Sequence, residues 1–283
     1  MTKVARSSFS LSEIEDLGYY DFMAYLEVPF FNIGGTPSID ELATRCKIDE
    51  DSQVLDVGCG TGGNSAYLAK NYGCHVTGVD ISELMVEKAW MRAEDLKMGE
   101  KLTFRVGDAY DLDFSDESFD AVITVFVSQF LDLEKAFPDF KRVLKRGGYL
   151  GVNEMYRENP VPEEFVDRDD YAEQVFQELT NLPFRLRSPI DWKYGFDEAG
   201  FQDVSVERHS DLMDVTRGWG MIEDFGGWLK TLSIFWRMSV IGLRSKKIRD
   251  RYRKISRGKR VMFNDRETSK FFGYVLGVGK KSD

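Results

Sequence analysis

The stretch VLDVGCGTGGNSAYLAK, residues Val54–Lys70, decides the fold of this 283-residue chain. An apolar run ends at Val57, glycines follow at positions 58, 60 and 63, and a helical pattern begins. This order predicts a buried strand, a tight turn and a helix, the first unit of an open parallel sheet. Because ligands of such sheets bind beyond the carboxyl ends of the strands, the turn is predicted to contact a ligand.

The rest of the chain alternates strand and helix patterns around this unit. Strands separated by helices form parallel units with right-handed crossovers, so we predict an α/β fold with a doubly wound, mostly parallel, seven-stranded sheet. One predicted helix covers Ser38–Lys47, with Ser38 as N-cap and Glu41 completing a capping box. The predicted strands are residues 53–57, 74–80, 102–106, 119–124, 149–154, 204–208 and 271–279.

Composition narrows the class of protein. Hydrophobic residues make up 42% and charged residues 30%, which is typical of a soluble globular chain. Three cysteines without a C-x-x-C pair, together with two histidines, predict neither a metal site nor a disulfide framework. The first twenty residues lack the apolar core of a signal peptide, so we expect a cytoplasmic protein.

Residues 211–270 form a long helical insertion ahead of the last strand. Residues 219–243 are rich in Trp, Phe, Leu, Ile and Met, but Lys230 and Arg237 interrupt them, which argues against a membrane span. Residues 244–260 hold ten basic residues against one acid, so the segment carries +9 within a chain of net charge −10. Three uses stay open: a cap over the active-site rim, peripheral membrane or lipid contact through residues 219–260, and a homodimer interface.

Two carboxylates select the kind of ligand. Asp80 lies twenty residues after Gly60, where an acidic side chain can accept hydrogen bonds from ribose hydroxyls. Asp56 lies two residues before the first glycine of the turn. A buried carboxylate repels the pyrophosphate of a dinucleotide and attracts a cationic nucleoside, because like charges interact strongly in a partly buried site.

The motif DVGCGTG (Asp56–Gly62) resembles motif I of the class I S-adenosylmethionine-dependent methyltransferases. Four further motifs agree in order and spacing, over residues 38–208 and the final strand. The nearest resemblance is to the small-molecule branch, which includes the sterol and ubiquinone/menaquinone C-methyltransferases. The four motifs are GVDIS at 78–82, GDA at 107–109, SFDAV at 118–122 and RVLKRGG at 142–148.

The resemblance implies a Rossmann-like methyltransferase fold in which S-adenosylmethionine binds and leaves as S-adenosylhomocysteine. It implies that Asp56 and Gly58 meet the amino-acid end of the cofactor and that Asp80 binds the ribose. Ile81 and Met85 would flank the adenine, and Asp108 would bind its amino group. The full set of cofactor-binding residues that we predict is Tyr19, Gly35, Asp56, Gly58, Gly60, Asp80, Ile81, Met85, Asp108, Ala109 and Val125, and no metal ligand is predicted.

An aromatic-rich segment precedes the sheet. Related enzymes carry such a segment as a helical lid over the cofactor, with Tyr19, Tyr20 and Phe22 as its aromatic side chains here; an amphipathic helix on the sheet edge is the alternative. For catalysis we predict Glu154, at the end of the fifth strand, as general base, with Tyr20 as the second candidate. The expected segments are residues 1–37 (lid), 38–210 (cofactor-binding core), 211–270 (helical insertion) and 271–283 (last strand).

The acceptor is predicted to be a small molecule, with a lean toward a lipophilic one from the apolar insertion. Nucleic-acid N-methyltransferases often carry N/D-P-P-Y/F after the fourth strand, where this chain reads VFVSQFLD, so a nucleic acid is not the expected partner. The alternatives are an RNA- or protein-directed methyltransferase that uses residues 244–260, and a cofactor-binding protein without catalysis.

Overall fold

One seven-stranded sheet forms the centre of the molecule. The computed structural model describes residues 9–28, 34–210, 222 and 227–283. The strands are β1 (Gln53–Val57), β2 (His75–Asp80), β3 (Leu102–Val106), β4 (Phe119–Val125), β5 (Leu144–Arg157), β6 (Gln202–His209) and β7 (Phe272–Lys280). Their order is β3-β2-β1-β4-β5-β7-β6, with β7 antiparallel to both neighbours and the pairs among β1–β5 parallel. The predicted doubly wound, mostly parallel sheet is therefore confirmed.

Helices cover both faces of the sheet and its carboxyl edge. Short 3₁₀ turns span Ser128–Phe130 and Ser269–Phe271, and a π-helical turn spans Arg260–Asn264. The α-helices of the described ranges are α1 (Leu11–Asp16), α2 (Tyr19–Leu26), α3 (Gly35–Arg45), α4 (Gly63–Tyr72), α5 (Glu83–Asp95), α6 (Leu133–Val143), α7 (Glu163–Thr180), α8 (Pro189–Glu198), α9 (Trp228–Arg244) and α10 (Lys246–Lys259).

The alternation of side chains along β1 divides the core into two layers. Val54 packs with residues of α3, α4 and α5 on one face, whereas Leu55 and Val57 pack with α6 and α8 on the other. Successive side chains of a strand point to opposite faces, so Asp56 shares the face of Val54. This register places the Asp56 carboxylate next to α4, beneath the glycine turn.

The N-terminal helices and the basic helix α10 pack together as a third cluster. Phe22 of α2 and Ile248 of α10 are fully buried in it, next to Met85 of α5. Polar contacts reinforce this packing, because Ser245 Oγ donates to a carboxylate oxygen of Glu15 at 2.5 Å. Among the described residues, no helix is long and apolar enough to cross a bilayer.

Two local predictions need correction. Helix α3 begins at Gly35, three residues before the predicted start, and its N-cap is Gly34 in the left-handed region. Ser38 is therefore not an N-cap; its hydroxyl donates to the Gly35 carbonyl and accepts from Asn153 Nδ2. Helix α7 was not predicted. Expectations that fall on residues 1–8, 29–33, 211–221 and 223–226 lie outside the described residues.

The glycine turn offers a test of local strain. Gly62 has φ +74° and caps α4, and a Cβ there would lie 2.9 Å from Phe104 and 3.0 Å from Ala89. We expect Gly62→Ala to lower the free energy of unfolding by about 2–4 kcal/mol, from left-handed strain plus overpacking. Chemical denaturation followed by circular dichroism measures this loss.

Gly60→Ala is the matched control. Gly60 also has a positive φ of +54°, but among the described residues the only atom near its Cβ position is Met85 Sδ at 3.9 Å. This variant should lower the free energy of unfolding by about 1–2 kcal/mol, from backbone strain alone, because it introduces no overpacking. Equal losses in the two variants would contradict the packing around Gly62.

Candidate active site

The glycine turn is built so that its backbone amides are already engaged. The N–H groups of Gly58 and Cys59 donate to the Val79 carbonyl at 2.7 and 3.0 Å, and the Gly60 N–H donates to Asp80 Oδ2 at 2.9 Å. A dinucleotide site presents such amides to the pyrophosphate. Because these three amides bind β2, they are not available to a phosphate, which favours a nucleoside that carries none.

Asp56 lies beneath the turn rather than at its surface. Its side chain is 1% exposed, and Oδ2 accepts a hydrogen bond from Ser65 Oγ at 2.5 Å. Burial raises the pKa of Asp56 to about 6, and the nearby Asp80 charge adds to the rise. Direct contact of Asp56 with a cofactor stays a prediction; the geometry provides negative potential behind the turn. Ser65 was not predicted, since a serine on a helix carries no sequence signal for this role.

Asp80 connects the turn to the next helix. Its Oδ2 accepts from Gly60, and its Oδ1 accepts from the N–H of Ser82 at 2.9 Å. A carboxylate offers about four acceptor positions, so acceptor capacity remains for ribose hydroxyls. Burial raises the pKa of Asp80, although backbone hydrogen bonds from Ser82, Gly60 and Ile81 favour its charged form.

The residues predicted around the adenine divide into exposed and buried positions. Ile81 is 70% exposed just after the carboxyl end of β2, where its side chain is accessible to a ligand. Met85 is 1% exposed and packs between the turn and α2. Asp108 is exposed, and its Oδ1 accepts from the Tyr110 N–H at 2.9 Å. Ala109 is partly buried against the second core layer.

Helix α2 lies over this carboxyl edge and is attached to it. Asp21 accepts a hydrogen bond from the hydroxyl of Ser82, the N-cap of α5, at 2.5 Å. Tyr20 packs edge-on against Phe130 with ring centroids 5.7 Å apart, and against Tyr19 at 5.2 Å. Tyr20 lies close enough to Asp80 and Glu154 for both charges to raise its pKa. The helix therefore adjoins both the cofactor-binding edge and the candidate base.

Glu154 is the most unusual polar group of the site. The side chain is fully buried, and Oε1 accepts from the N–H of Val127 at 2.9 Å, the N–H of Ser128 at 2.7 Å and the hydroxyl of Thr124 at 3.1 Å. Oε2 is buried and has no hydrogen-bond partner among the described residues. Burial raises the pKa of Glu154 to about 7. The carboxylate is thus held at one oxygen and free at the other.

Three further residues complete the description of this edge. Val125 is buried at the end of β4, where it pairs with Asn153. Gly35 has φ +59° and begins α3; its predicted contact with cofactor stays a prediction. Gln129, which was not predicted, is fully buried; its Oε1 accepts from the Met155 N–H at 3.2 Å, and its Nε2 has no partner.

One group of described side chains has a spacing that would suit a metal ion. It consists of Glu41, Glu207 and His209. Arg45 already forms ion pairs with both carboxylates, at 2.6 Å to Glu41. Arg45 therefore offsets one of the two negative charges and holds both carboxylates in this arrangement.

The fold and the turn define a doubly wound α/β enzyme with a nucleoside site at the carboxyl ends of β1 and β2. A family model described as a methyltransferase domain matches residues 55–152. The O-methyltransferase cnsE of Penicillium expansum is 32% identical over 205 residues, which cover 71% of each chain. The chain belongs to the class I S-adenosylmethionine-dependent methyltransferases, and its cofactor is S-adenosylmethionine.

Two further comparisons concern one relative in sequence and one solved structure, and the likeness to that structure is in the fold alone. The sterol 24-C-methyltransferase ERG6B of Gibberella zeae is 37% identical over 172 residues, which cover 60% of this chain and 44% of that protein. The match thus spans less than half of the sterol enzyme. A solved structure of Haemonchus contortus phosphoethanolamine N-methyltransferase 2 in complex with S-adenosyl-L-methionine has a TM-score of 0.68 at 20% identity. It covers 98% of this chain and 61% of that one.

The role of Asp80 can be tested directly. We expect Asp80→Ala to weaken S-adenosylmethionine binding by more than tenfold, measured by isothermal titration calorimetry. Two hydrogen bonds to a charged acceptor are lost, each worth about 1.5–3 kcal/mol.

Asp113→Ala is the control, because it removes an exposed carboxylate outside the turn and should leave the affinity unchanged. Circular dichroism and thermal unfolding verify that both variants fold. Unchanged affinity in folded Asp80→Ala would exclude a ribose contact.

Proposed function

We propose that the chain transfers a methyl group to a small lipophilic acceptor whose proton is taken by Glu154. The observation that carries this proposal is Oε2 of Glu154, which is buried at the carboxyl edge of the sheet and has no partner in the part of the chain that the structure describes. An unpaired buried carboxylate oxygen is costly in free energy, and an acceptor hydroxyl or acidic C–H would satisfy it.

The chemistry divides between the cofactor and the chain. S-adenosylmethionine, when bound, supplies an electrophilic methyl group, and its sulfonium becomes a neutral thioether as the carbon–sulfur bond breaks. The glycine turn and Asp80 fit this cofactor. Among the described residues the space above Gly60 is open, and Asp80 can accept further hydrogen bonds. Glu154 Oε2 accepts the proton from the acceptor atom that forms the new bond to the methyl carbon. The three hydrogen bonds to Oε1 hold the carboxylate in one orientation.

Glu154 suits the role of base better than Tyr20. A base must be deprotonated near neutral pH, and the pKa of Glu154 is about 7. The pKa of Tyr20 is raised well above 10 by burial and by nearby negative charges, so its hydroxyl stays protonated. We assign Tyr20 the role of covering the reaction site. Its ring excludes water there, and its protonated hydroxyl donates a hydrogen bond.

The surroundings of Glu154 support an apolar acceptor. Phe130 lies two residues after Ser128, whose N–H donates to Glu154 Oε1, and it belongs to a buried apolar cluster at the same edge of the sheet. The relatives include an enzyme named for a sterol and an O-methyltransferase, and both names fit an acceptor that is lipophilic or carries a hydroxyl. The core of this cluster consists of Phe130, Met155, Ala172, Phe176, Phe184, Leu186, Met262 and Phe272.

The basic segment gives less support to a polymer substrate. Arg249 donates to the carbonyls of Gly242 and Leu243, and so caps the end of α9. Arg251 lies over the Phe22 ring at 5.6 Å and donates to a backbone carbonyl. Lys247 forms an ion pair with Asp16 at 2.8 Å. These three cations form intramolecular contacts, so residues 244–260 stabilise the packing of the helices more than they provide a free binding surface for a polyanion.

Methyl-labelled S-adenosylmethionine tests the acceptor class. We expect incubation of the enzyme with cell extract to place label in the organic-solvent fraction. Label confined to the nucleic-acid or protein fraction would overturn the proposed acceptor, whereas it would leave the family assignment intact.

The role of the base predicts a pH profile. Since the pKa of Glu154 is about 7, the rate on the labelled acceptor should rise as pH increases through that value. Glu154→Gln should lower kcat by 10²- to 10⁴-fold and remove this limb of the profile. The affinity for S-adenosylmethionine, measured by calorimetry, should stay within about threefold of the wild-type value because the glycine turn and Asp80 are unchanged.

A stability measurement on Glu154→Gln serves as a control that needs no acceptor. A carboxyl whose folded pKa is raised stabilises the protein below its unfolded value of 4.5, and that contribution is lost as pH rises toward 7. The variant should therefore gain about 2 kcal/mol relative to the wild type between pH 5 and pH 8. Parallel stability profiles would show that Glu154 is not held protonated by burial.

A further inference from the structure

We propose that the outer face of α9 is a docking site for an anionic membrane surface. Six large apolar side chains of this helix are exposed to solvent, with Leu229 at 86%, Trp236 at 68% and Leu243 at 81%. With a helical repeat of 3.6 residues, their positions fall on one continuous stripe. The six residues, which we call the α9 stripe, are Trp228, Leu229, Leu232, Phe235, Trp236 and Leu243.

Cations flank the α9 stripe in a regular row. Lys230, Arg237 and Arg244 recur every seventh residue, so they line one side of the helix along its length. Long basic side chains beside an apolar face extend toward lipid headgroups while the apolar residues enter the acyl boundary. Tryptophans at the edge of such a face suit the same boundary.

A groove lies beside α9, and residues of both the α9 stripe and the cationic row line it. It has a volume of about 340 Å³ and runs between α9 and the N-terminal segment. Aromatic and apolar walls come from Phe9, Tyr25 and Trp236, and the guanidinium side is formed by Arg237 and Arg244. This lining fits an amphiphile with an anionic head, which is the chemistry of a negatively charged phospholipid.

Charge favours lipid over a second copy of the chain as the occupant. Arg237 pairs with Glu27 at 3.3 Å, and Lys230 approaches the same carboxylate at 4.0 Å. Arg244 forms no ion pair with any described residue. A second copy would bring an identical row of cations to the interface, whereas anionic headgroups would complement the row.

The docking face also adjoins the active-site helix. Glu27 is the C-cap of α2, the helix that carries Tyr20 over the carboxyl edge. Ile241 of α9 packs in the same cluster as Phe22 of α2. A membrane bound to α9 would therefore lie beside the cover of the active site, where a lipophilic acceptor would enter. This route rests on the proposed function, whereas the docking itself does not.

Vesicle co-sedimentation of the full chain tests the proposal. We expect the chain to bind vesicles of phosphatidylcholine that contain about 30% phosphatidylglycerol, an anionic lipid. Binding to vesicles of pure phosphatidylcholine should be at least fivefold weaker. Leu229→Glu/Trp236→Glu should reduce binding to the anionic vesicles at least tenfold. Lys230→Gln/Arg244→Gln should reduce only the preference for anionic lipid.

Ile190→Glu/Tyr194→Glu is the matched control. These side chains are 77% and 59% exposed but lie on α8, so the variant should bind as the wild type does. Circular dichroism verifies folding of every variant. The proposal is overturned if the full chain binds neither vesicle, if Leu229→Glu/Trp236→Glu binds normally, or if sedimentation velocity shows a dimer that this variant dissociates. Vesicle binding without methyl transfer, or the reverse, would separate this proposal from the proposed function.

Discussion

The hydrogen bonds of Asp80 hold the candidate site together. One oxygen accepts from Gly60 in the turn after β1, and the other accepts from Ser82 at the start of α5. The Ser82 hydroxyl in turn donates to Asp21 of α2. A single carboxylate thus links two crossover connections of the sheet and, through one serine, the helix that covers them. The turn, the helix N-terminus and the cover keep their relative positions because this network is satisfied at each step.

Buried carboxylates also explain the preference for a cationic cofactor. Asp56 and Asp80 lie on adjacent strands, and the charge of Asp80 adds to the raised pKa of Asp56. Neither forms a hydrogen bond or ion pair with an arginine or lysine in the part of the chain that the structure describes. A ligand with a sulfonium and an ammonium would supply the missing positive charge, whereas a pyrophosphate would add to the repulsion.

The sequence predicted the sheet well and the local polar contacts less well. Strands β1 and β3 were predicted with both ends correct, because apolar runs bounded by turn residues carry a local signal. The capping pattern at Ser38 failed because Gly34 begins α3 earlier and Asn153, distant in sequence, engages the serine. The environment of the Glu154 carboxylate depends on how β5 packs against β4 and the turn that follows β4. These contacts join residues distant in sequence, so no local pattern in the sequence predicts them.

Helix α2 couples the two surfaces that the chain would use. On one side Tyr20 faces the carboxyl edge of the sheet; at its C-terminal end Glu27 pairs with Lys88 of α5 and with Arg237 of α9. Exposed ion pairs contribute about 0–1 kcal/mol each, so anionic headgroups that compete for Arg237 could displace Glu27 at small cost. The hydrogen bond between Asp21 and Ser82 would remain, and Met23 and Leu26 would stay buried, so α2 would keep its place over the cofactor-binding edge while Arg237 binds a headgroup.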